Sequence, residues 1–546
     1  MAKRTLAAVA AAIVTLVSGA TTTATASPTS AQSPTAVDAW GQPSADAGGS
    51  NFNPGETQLT ASNVPRLRPA WSADAFTIAG SAIVNRVAYY TTGPGNTADH
   101  ASLVAKNVAT GATLWSMQLP LGTFNQPSVA GNRLLLSYYW APRPTGNDLY
   151  GGLLAVDLTN HSIAWRAETG TSDTPHDVVS QNGLAFFGDN THLRGYRVSD
   201  GKLLWSQPAT SQFGPTLAMG SSVFANVDDH LKAFDQKTGR VLWSAPLAYS
   251  DLAAGPVAAD GHVYIESYPY IEAFNATGCG AATCAPIWRM RPPGDIGFNM
   301  LLGGAGAGRL TVSWRDETVG HFHSLLSSLS AATGKPFWTR TVNTAGEPPM
   351  RSGNLIWLQT RDDWLESFSV ATGAHLGTTV IPNANGYEQR AAVSDGTVLV
   401  DTMGTMEALR IASPTQHEPI TGPGGKCVDV RSAGQADGTP VQLYTCNGTA
   451  SQDWTNVRSR ASIMAYGKCL DSRSGGTANG TKVQLWTCNS TNAQAWVPQL
   501  DGSLLNPASG KCLDDPRGSL TNGTQLQLYT CNKTASQRWK IANSIL

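Results

Sequence analysis

A short pattern of apolar and polar positions recurs along the first three quarters of the chain. In each occurrence an alternating strand leads into a turn with Thr-Gly or a related pair, and a second strand follows that reaches a tryptophan. Alternation with period two is typical of strands that bury one face. The occurrences are 103–115, 153–165, 193–205, 231–243, 271–288, 325–338 and 365–377, the last with Gly377 in place of the tryptophan.

The spacing of these units predicts a β-propeller. The tryptophans at 115, 165, 205, 243, 288 and 338 are 50, 40, 38, 45 and 50 residues apart, and further strands precede each unit, as at 185–189 and 262–267. Such steps are typical of blades with four strands. We expect the tryptophans to pack between neighbouring blades rather than to contact a ligand.

The two ends of this region set the expected blade count. Residues 406–410 look like the first half of a further unit, and residues 67–71 look like a last half. If the N-terminal strand completes the C-terminal blade, the propeller has eight blades. Seven remain possible if the unit ending at Gly377 is degenerate.

The stretch 427–539 contains a second and stricter repeat, written three times. Each copy has Gly-Lys-Cys with an aspartate two residues after the cysteine, an aromatic-Thr-Cys-Asn run, and Gln-x-Trp. The first cysteines lie at 427, 469 and 512, which are 42 and then 43 residues apart. A fixed period of this length predicts small units that bury their apolar faces against one another.

The eight cysteines favour disulfides in an oxidising compartment. They lack Cys-x-x-Cys spacing and nearby histidines in the repeats, which makes a metal site a weaker interpretation. The most economical pairs are Cys427–Cys446, Cys469–Cys488, Cys512–Cys531 and the local pair Cys279–Cys284.

Residues 1–26 have the charged, apolar and small-residue regions of a secretory signal peptide, so we expect a secreted, extracellular protein. Residues 27–39 are predicted to be a flexible linker and 40–411 the propeller. Residues 412–424 form a Pro/Gly linker, which predicts that the module at 425–546 moves semi-independently. No later segment is apolar enough to predict a membrane span.

Composition narrows the expected partners. The chain has 546 residues, too many for one core, with 14% charged residues, a formal net charge of −1 and no basic block. This balance argues against nucleic acid as the main partner. We expect a monomer.

The propeller units resemble the repeat of pyrroloquinoline-quinone-type (PQQ-like) propellers. That family includes quinone-dependent dehydrogenases and scaffold proteins without a cofactor. The sequence has no adjacent Cys-Cys pair of the kind that contacts the quinone in many members, and no Ca²⁺-ligand set can be assigned. PQQ with Ca²⁺ is therefore possible but unsupported by any motif. We predict no metal site, although residues 176–177, the His-x-His pair at 321–323 and the charges at 361–363 are polar clusters to locate in the structure.

The tripled stretch resembles the ricin-type lectin domain, a β-trefoil also known as a family-13 carbohydrate-binding module. The expected fold is therefore all-β, an eight-bladed propeller followed by a β-trefoil. In that family the aspartate accepts hydrogen bonds from sugar hydroxyls, the aromatic residue stacks on the sugar and the residue after the second cysteine donates to a hydroxyl. The resemblance implies carbohydrate-binding residues Asp429, Tyr444 and Asn447; Asp471, Trp486 and Asn489; and Asp514, Tyr529 and Asn532.

One departure ranks the three expected sites. The family has an asparagine before Gln-x-Trp, whereas this chain has Ser451, Ala493 and Ser536. Serine can substitute as a hydrogen-bonding group and alanine cannot. We therefore rank the second site below the first and third, although Trp486 is the largest of the three aromatic side chains.

Two functions follow from these resemblances. The first is a secreted carbohydrate-binding protein with a trivalent lectin module for galactose- or xylose-type polysaccharide, with the propeller as scaffold or second binding surface. The alternative is a secreted enzyme acting on sugars or polysaccharide, a quinoprotein-like dehydrogenase or a lyase or hydrolase, with catalysis in the propeller. No catalytic residue can be named, so whether the protein is an enzyme stays open.

Overall fold

The computed structural model describes residues 38–540 apart from a set of short segments. The segments left out are 76–79, 94–99, 143–148, 170–175, 210–211, 248–254, 293–295, 317–322, 344, 361–363, 382–389, 403, 412–418, 458–461, 490 and 500. The predicted signal peptide and almost all of the linker at 27–39 lie outside the described residues.

The described residues form strands and short 3-10 turns, with no α-helix among them. Consistent with this, the described part of the chain contains no helix with the length and apolarity that crossing a membrane requires. The 3-10 turns are Val64–Arg66, Pro423–Gly425, Arg431–Ala433, Ala450–Gln452, Arg473–Gly475, Asn492–Gln494, Pro516–Gly518 and Ala535–Gln537.

Described residues before 412 build eight sheets, antiparallel except for one short parallel strand in sheet 7. They are numbered here by the chain position of the strand named first in each. Sheet 1 contains Ala82–Val84, Val87–Thr92, His100–Asn107 and Thr113–Leu121; sheet 2 contains Thr123–Phe124 with Ser128–Ala130, Arg133–Pro142, Leu149–Asp157 and Ser162–Glu168. Sheet 3 contains Val179–Gln181, Leu184–Gly188, His192–Arg197 and Leu203–Pro208; sheet 4 contains Gln212–Met219, Ser222–Val227, His230–Asp235 and Val241–Pro246.

The remaining sheets follow the same order of strands. Sheet 5 contains Val257–Ala259, His262–Ser267, Tyr270–Asn275 and Trp288–Met290; sheet 6 contains Ile296–Gly306, Arg309–Asp316, His323–Ser330 and Pro336–Asn343. Sheet 7 contains Met350–Ser352, Leu355–Gln359, Trp364–Ser369 and His375–Val380, with Phe52–Asn53 added in parallel; sheet 8 contains Arg390–Ser394, Thr397–Asp401, Gly404–Ile411 and Leu67–Ala75.

Sheet 8 is completed by a strand from the other end of the region. Leu67–Ala75 pairs antiparallel with Gly404–Ile411, with Leu67 opposite Ile411 and Trp71 opposite Ala408. The two half motifs therefore combine as the sequence predicts. This pairing ties the start of the propeller to its end by backbone hydrogen bonds.

The repeat tryptophans act as wedges between neighbouring sheets. Trp165 of sheet 2 lies over the turn of sheet 3, where a Cβ on Gly201 would come within 2.4 Å of the indole ring. The indole Nε1 donates to the carbonyl oxygen of Val198 in the same turn at 2.9 Å. Glycine is needed there because any side chain would collide with the ring. Five further pairs repeat this contact: Trp71–Gly111, Trp205–Gly239, Trp243–Gly278, Trp288–Gly334 and Trp338–Gly373.

Between sheets 1 and 2 a histidine replaces the turn glycine. The rings of Trp115 and His161 stack with their centroids 4.3 Å apart. Seven of the seams between the eight described sheets therefore use a tryptophan wedge, which is the packing role expected from the sequence.

A segment near the N-terminus fills the place where the inner edges of all eight sheets meet. The first strand of each sheet has a strand partner on one side, and its other edge bonds to residues 40–53. These bonds follow the order of the sheets, pairing Trp40 with Ile83, Gly41 with Val129, Gln42 with Ser180, Ala47 with Ala218, Gly48 with Ala258, Ser50 with Ala305, Asn51 with Arg351 and Asn53 with Val393. We call residues 40–53 the axial segment.

An aspartate side chain shapes the axial segment. The Asp46 carboxylate accepts from the backbone N–H groups of Gly48 and Ser50 at 2.9 and 3.1 Å, and from the Ser50 hydroxyl at 2.7 Å. A Cβ on Gly48 would lie 2.3 Å from the carbonyl oxygen of Ala258. The backbone thus passes so close to the inner strands that it leaves no space for a side chain at this point.

The C-terminal module is a second all-β unit with its own apolar core. Its strands are Cys427–Val430, Thr439–Tyr444, Thr455–Val457, Ser462–Ala465, Lys468–Ser472, Val483–Trp486, Val497–Pro498, Leu504–Asn506, Lys511–Asp514, Thr524–Gln525 and Gln527–Thr530. Trp454, Trp496 and Trp539 are buried in this core. Each indole Nε1 donates to a carbonyl of the first strand of its own copy, to Val428, Leu470 and Leu513 respectively. Disulfides join Cys427–Cys446, Cys469–Cys488 and Cys512–Cys531 here, and Cys279–Cys284 in the propeller.

Candidate functional site

Strand pairing places the expected aspartate and aromatic residue of each copy on one face. In the first copy Asp429 lies opposite Gln442, and Cys427 lies opposite Tyr444. Residues two apart on a strand point to the same side, so Tyr444 and Gln442 share the face that Asp429 presents. The same register holds for Asp471 with Gln484 and for Asp514 with Gln527.

Two glutamines hold each aspartate. Asp429 is 4% exposed; its Oδ1 accepts from Gln442 Nε2 at 2.7 Å and its Oδ2 from Gln452 Nε2 at 3.1 Å. A carboxylate has about four acceptor positions, so these bonds leave lone pairs for a ligand. Asp471 is bound by Gln484 and Gln494, and Asp514 by Gln527 and Gln537.

The second of these glutamines also positions the expected asparagine. Gln452 Oε1 accepts from the backbone N–H of Asn447 at 2.9 Å, and Gln452 Nε2 donates to the Thr445 carbonyl at 2.9 Å. Asn447 Oδ1 accepts from the backbone N–H and the hydroxyl of Thr449, which turns the asparagine amide nitrogen away from that loop. Gln494 with Asn489 and Gln537 with Asn532 repeat the arrangement.

The three aromatic side chains are exposed although they are large and apolar. Tyr444, Trp486 and Tyr529 are 37%, 38% and 40% exposed. Each aromatic residue lies at or next to the end of its strand, two residues before the second cysteine of its copy. The disulfide of that cysteine fixes the backbone beside the ring. The structure therefore brings together in each copy a buried carboxylate, an exposed ring and an exposed asparagine.

Burial affects the charge state of two aspartates. Desolvation raises the pKa of Asp429 and of Asp471 above its ordinary value, and the hydrogen bonds from their glutamines offset part of this rise. The glutamine pairs thus favour the carboxylate form that can accept two further hydrogen bonds.

The positions before Gln-x-Trp differ among the copies, as the sequence suggests. The hydroxyl of Ser451 lies 3.2 Å from the Tyr466 hydroxyl, so it already has a partner within the module. Ala493 has no polar group to offer, and Ser536 lies near Gly518. The first and second copies therefore both lack an uncommitted polar side chain at this position, which the ranking by residue type did not foresee.

Each copy also supplies residues to the next, which the sequence did not lead us to expect. Asp437 of the first copy accepts from the backbone N–H of Thr487, beside Trp486, at 2.8 Å. Asn479 accepts from Thr530 and Asn522 from Thr445 in the same way. The Asp/Asn-Gly pair that recurs in each copy was the available signal, as was the repeated Val/Leu-Gln-Leu that contains the first glutamine.

Beside the third site lies a carboxyl group that the other copies lack. Asp515 is fully buried, and neither carboxyl oxygen has a hydrogen-bond partner among the described residues. Burial first, and the charge of Asp514 second, raise its pKa to about 6. The equivalent positions are Val430, which lies in the core, and Ser472.

We expect Asp515→Val to stabilise the C-terminal module at pH 7 by about 2–3 kcal/mol, because an uncompensated buried charge is removed. Because the pKa of Asp515 is raised in the folded protein, the wild-type residue costs no stability below about pH 4, where it is protonated. The cost appears as pH rises through about 6 and the carboxyl group ionises. The gain of the variant should therefore grow between those pH values. Thermal unfolding at pH 4 and pH 7 measures it, and an equal gain at both pH values would contradict the charge argument.

Among the polar candidates of the propeller, Asp177 has structural partners, His323 is exposed, and several others lie outside the described residues. Asp177 Oδ2 bonds to Arg390 Nη1 at 2.5 Å, and its Oδ1 accepts from the backbone N–H of Gln126. It therefore links sheet 3 to sheets 8 and 2, and is not a solvated loop charge. Trp314 is buried. Of the His-x-His pair, His321 is outside the described residues, as are residues 361–363.

The residues described in the propeller do not fit a quinone with its Ca²⁺. Among the described residues, no three His, Cys, Asp or Glu side chains meet as a metal-ligand group. Every cysteine is in one of the four disulfides, and none is adjacent to another in sequence. We derive no chemistry through that cofactor.

Comparison with family models identifies both regions. Residues 417–539 match the model described as ricin-type beta-trefoil lectin domain. Residues 56–216 and 149–267 match the model described as outer membrane protein assembly factor BamB. No curated protein matches the chain.

Solved structures are similar to parts of this chain at low identity. The quinohemoprotein alcohol dehydrogenase from Comamonas testosteroni is 12% identical, with a TM-score of 0.50 over 70% of this chain and 82% of that chain. BamB from Moraxella catarrhalis is 12% identical, with a TM-score of 0.46 over 63% and 99% of the two chains. The designed threefold-symmetric protein ThreeFoil is 26% identical, with a TM-score of 0.22 over 23% and 97%.

The similarity to the quinohemoprotein alcohol dehydrogenase supports the fold of the propeller region and nothing about its chemistry. The protein thus combines a PQQ-like, BamB-type propeller region with a C-terminal ricin-type β-trefoil lectin domain.

Proposed function

We propose that this is a secreted carbohydrate-binding protein whose lectin module holds galactose- or xylose-type polysaccharide at three sites. One observation carries the proposal. Each copy places a buried carboxylate, fixed by two glutamines, beside an exposed aromatic ring and an exposed asparagine, as Asp429, Tyr444 and Asn447 do in the first copy.

This combination matches the chemistry of a pyranose. One face of the sugar ring carries C–H groups, which pack against an aromatic face, and its edge carries hydroxyls. Asp429 would accept hydrogen bonds from two hydroxyls, and the amide of Asn447 would donate to a hydroxyl oxygen. Because the glutamines hold both groups before the ligand arrives, little ordering is required on binding.

Three weak sites on one module suit a repeating polymer. The Asp437, Asn479 and Asn522 contacts link the copies in a cycle, so each site has the same relation to the next. Simultaneous binding of one chain would raise the apparent affinity by about 10²–10⁴ over a single site, provided the geometry permits it. We rank the second site lowest because of Ala493.

The propeller would serve as scaffold or as a second binding surface. We propose that its eight sheets are eight blades, that the chain is exported by the signal peptide at 1–26, and that it acts as an extracellular monomer. The disulfides and the absence of a spanning helix among the described residues are compatible with export.

The exposed rings provide the first test. Changing Tyr444, Trp486 and Tyr529 together to alanine should weaken binding to a responsive glycan by about tenfold or more per site, because the stacking surface is lost. A glycan array probed with the full-length wild type and variant measures this. Since the rings are exposed, the fold should be retained.

Phe337→Ala is the matched control. It removes an aromatic ring that is 54% exposed in the propeller, far in sequence from the lectin sites, and it should leave the array pattern unchanged. Equal binding by wild type and the triple ring variant would refute the proposed sites.

A further inference from the structure

The eighth seam of the propeller departs from the other seven. Sheet 7 has Gly377 where the other sheets have a wedge tryptophan. Sheet 8 also lacks the turn that such a tryptophan would cover, because its last strand, Leu67–Ala75, arrives from the N-terminal side. The pairing of Leu67–Ala75 with Gly404–Ile411 thus accounts for the missing tryptophan.

Two other elements occupy this seam. The turn Val64–Arg66 covers Gly377, since a Cβ there would lie 3.4 Å from the Cα of Pro65. From the lectin module, Gly467 approaches the same strand: a Cβ on Gly467 would lie 3.7 Å from the backbone nitrogen of Thr378 and 4.0 Å from the Cα of Gly377. An indole at 377 would therefore meet the turn Val64–Arg66, at a strand that the lectin module also approaches.

An ion pair crosses from the propeller to the lectin module at this place. Arg68 Nη2 lies 3.1 Å from Asp453 Oδ2, with the side chains 18% and 5% exposed. The Arg68 guanidinium also donates to the carbonyls of Pro65 and Leu67, which fix its direction. Asp453 is the middle residue of the first Gln-x-Trp, and the other copies have Ala495 and Arg538 there.

Apolar contacts lie beside the ion pair. Trp364 of sheet 7 is 6% exposed and packs against Met464, Cys469 and Cys488 of the lectin module. Desolvation first, and the nearby positive charge of Lys468 second, lower the pKa of the His375 imidazole in sheet 7. This apolar cluster adds a hydrophobic contribution to the contact between the two modules.

We propose that the seam between sheets 7 and 8 is a docking surface for the lectin module of the same chain, so that both modules form one body. The Pro/Gly linker by itself predicts independent movement, but a linker's composition says nothing about the surfaces that it joins. Docking gives the three sugar sites a fixed direction relative to the propeller. This inference does not depend on which glycan is bound.

Reversing the ion pair tests the docking. Arg68→Asp and Asp453→Arg, made singly in the full-length protein, should each separate the modules, seen as a larger radius of gyration in small-angle X-ray scattering and as a second thermal transition. The double variant Arg68→Asp with Asp453→Arg should return both readouts toward wild type. Arg197→Asp, which reverses an exposed ion pair in sheet 3, is the control and should change neither readout.

Gly377→Trp is an independent second variant. It restores the repeat residue at the seam and should also enlarge the radius of gyration, while circular dichroism reports whether the strands remain. The proposal is overturned if the wild-type scattering requires separated modules, or if the single reversals and Gly377→Trp all leave the scattering unchanged.

Discussion

Gly48→Val should destabilise the propeller by about 3 kcal/mol or more, the largest loss that we expect from a single exchange in this region. A Cβ at this position would lie 2.3 Å from the Ala258 carbonyl oxygen, which is backbone and cannot turn aside. The axial segment would have to move away from sheet 5. Thermal unfolding of the full-length protein measures the loss.

The effect should extend beyond one hydrogen bond. Gly48 accepts from the backbone N–H of Ala258, and Ala47 just before it accepts from Ala218 of sheet 4. Both bonds are buried, and breaking a buried backbone bond without replacing it costs about 1–3 kcal/mol. The turn built on Asp46 would be strained as well, because Asp46 binds the N–H of Gly48.

Gly131→Asn is a suitable control. Gly131 has a φ of +64° and lies in the first turn of sheet 2, where an added Cβ would meet no atom within 4 Å. Asparagine tolerates this conformation, so the loss should stay within about 1 kcal/mol. Equal unfolding temperatures for Gly48→Val and wild type would contradict a role for the axial segment in holding the sheets together.

Changing Asp429, Asp471 and Asp514 together to asparagine should abolish glycan binding. A hydrogen bond to a charged group contributes about 1.5–3 kcal/mol, so each site should weaken by about ten- to hundredfold. On a polymer the loss compounds because avidity depends on all three sites.

The exchange also disturbs the glutamine frame. Gln442 and Gln452 both donate to the Asp429 carboxylate, whereas asparagine offers one acceptor oxygen and one donor group. One glutamine would have to turn. For Gln452 this would break its bond to the Asn447 backbone, which positions the second polar group of the site.

Asp501→Asn is the matched control for the triple variant. Asp501 lies in an exposed turn of the same module, where it bonds to Ser503 and not to either glutamine. Binding by this variant should equal that of wild type on the same glycan surface. The triple variant keeps side-chain volume, so near-native circular dichroism would separate lost binding from lost fold.

Most of the structural features that could be predicted from the sequence are those that recur in its repeats. The Cys, Asp and Gln-x-Trp positions recur in register, and the two half motifs around Trp71 and 406–410 imply the pairing that completes sheet 8. The tryptophan wedges follow from the same periodicity, because a residue repeated once per blade contacts its neighbour in the same way each time.

Features that occur once were not predictable from pattern. The axial segment has no alternation, and its glycines, asparagines and single aspartate are typical of a loop. Its contacts exist only where the inner edges of the eight sheets meet. Likewise, Arg68 and Asp453 are 385 residues apart in sequence, and neither belongs to a repeat position that requires charge. The partner of Ser451 depends on Tyr466, which has no counterpart in the other copies.

The most direct test of glycan binding at three sites is the number of oligosaccharide molecules bound per full-length chain, measured by calorimetric titration with a responsive glycan from the array. We expect three bound molecules, the weakest at the site of Trp486 and Ala493, and no binding by the triple aspartate variant. Undiminished binding by that folded variant would contradict the proposed function.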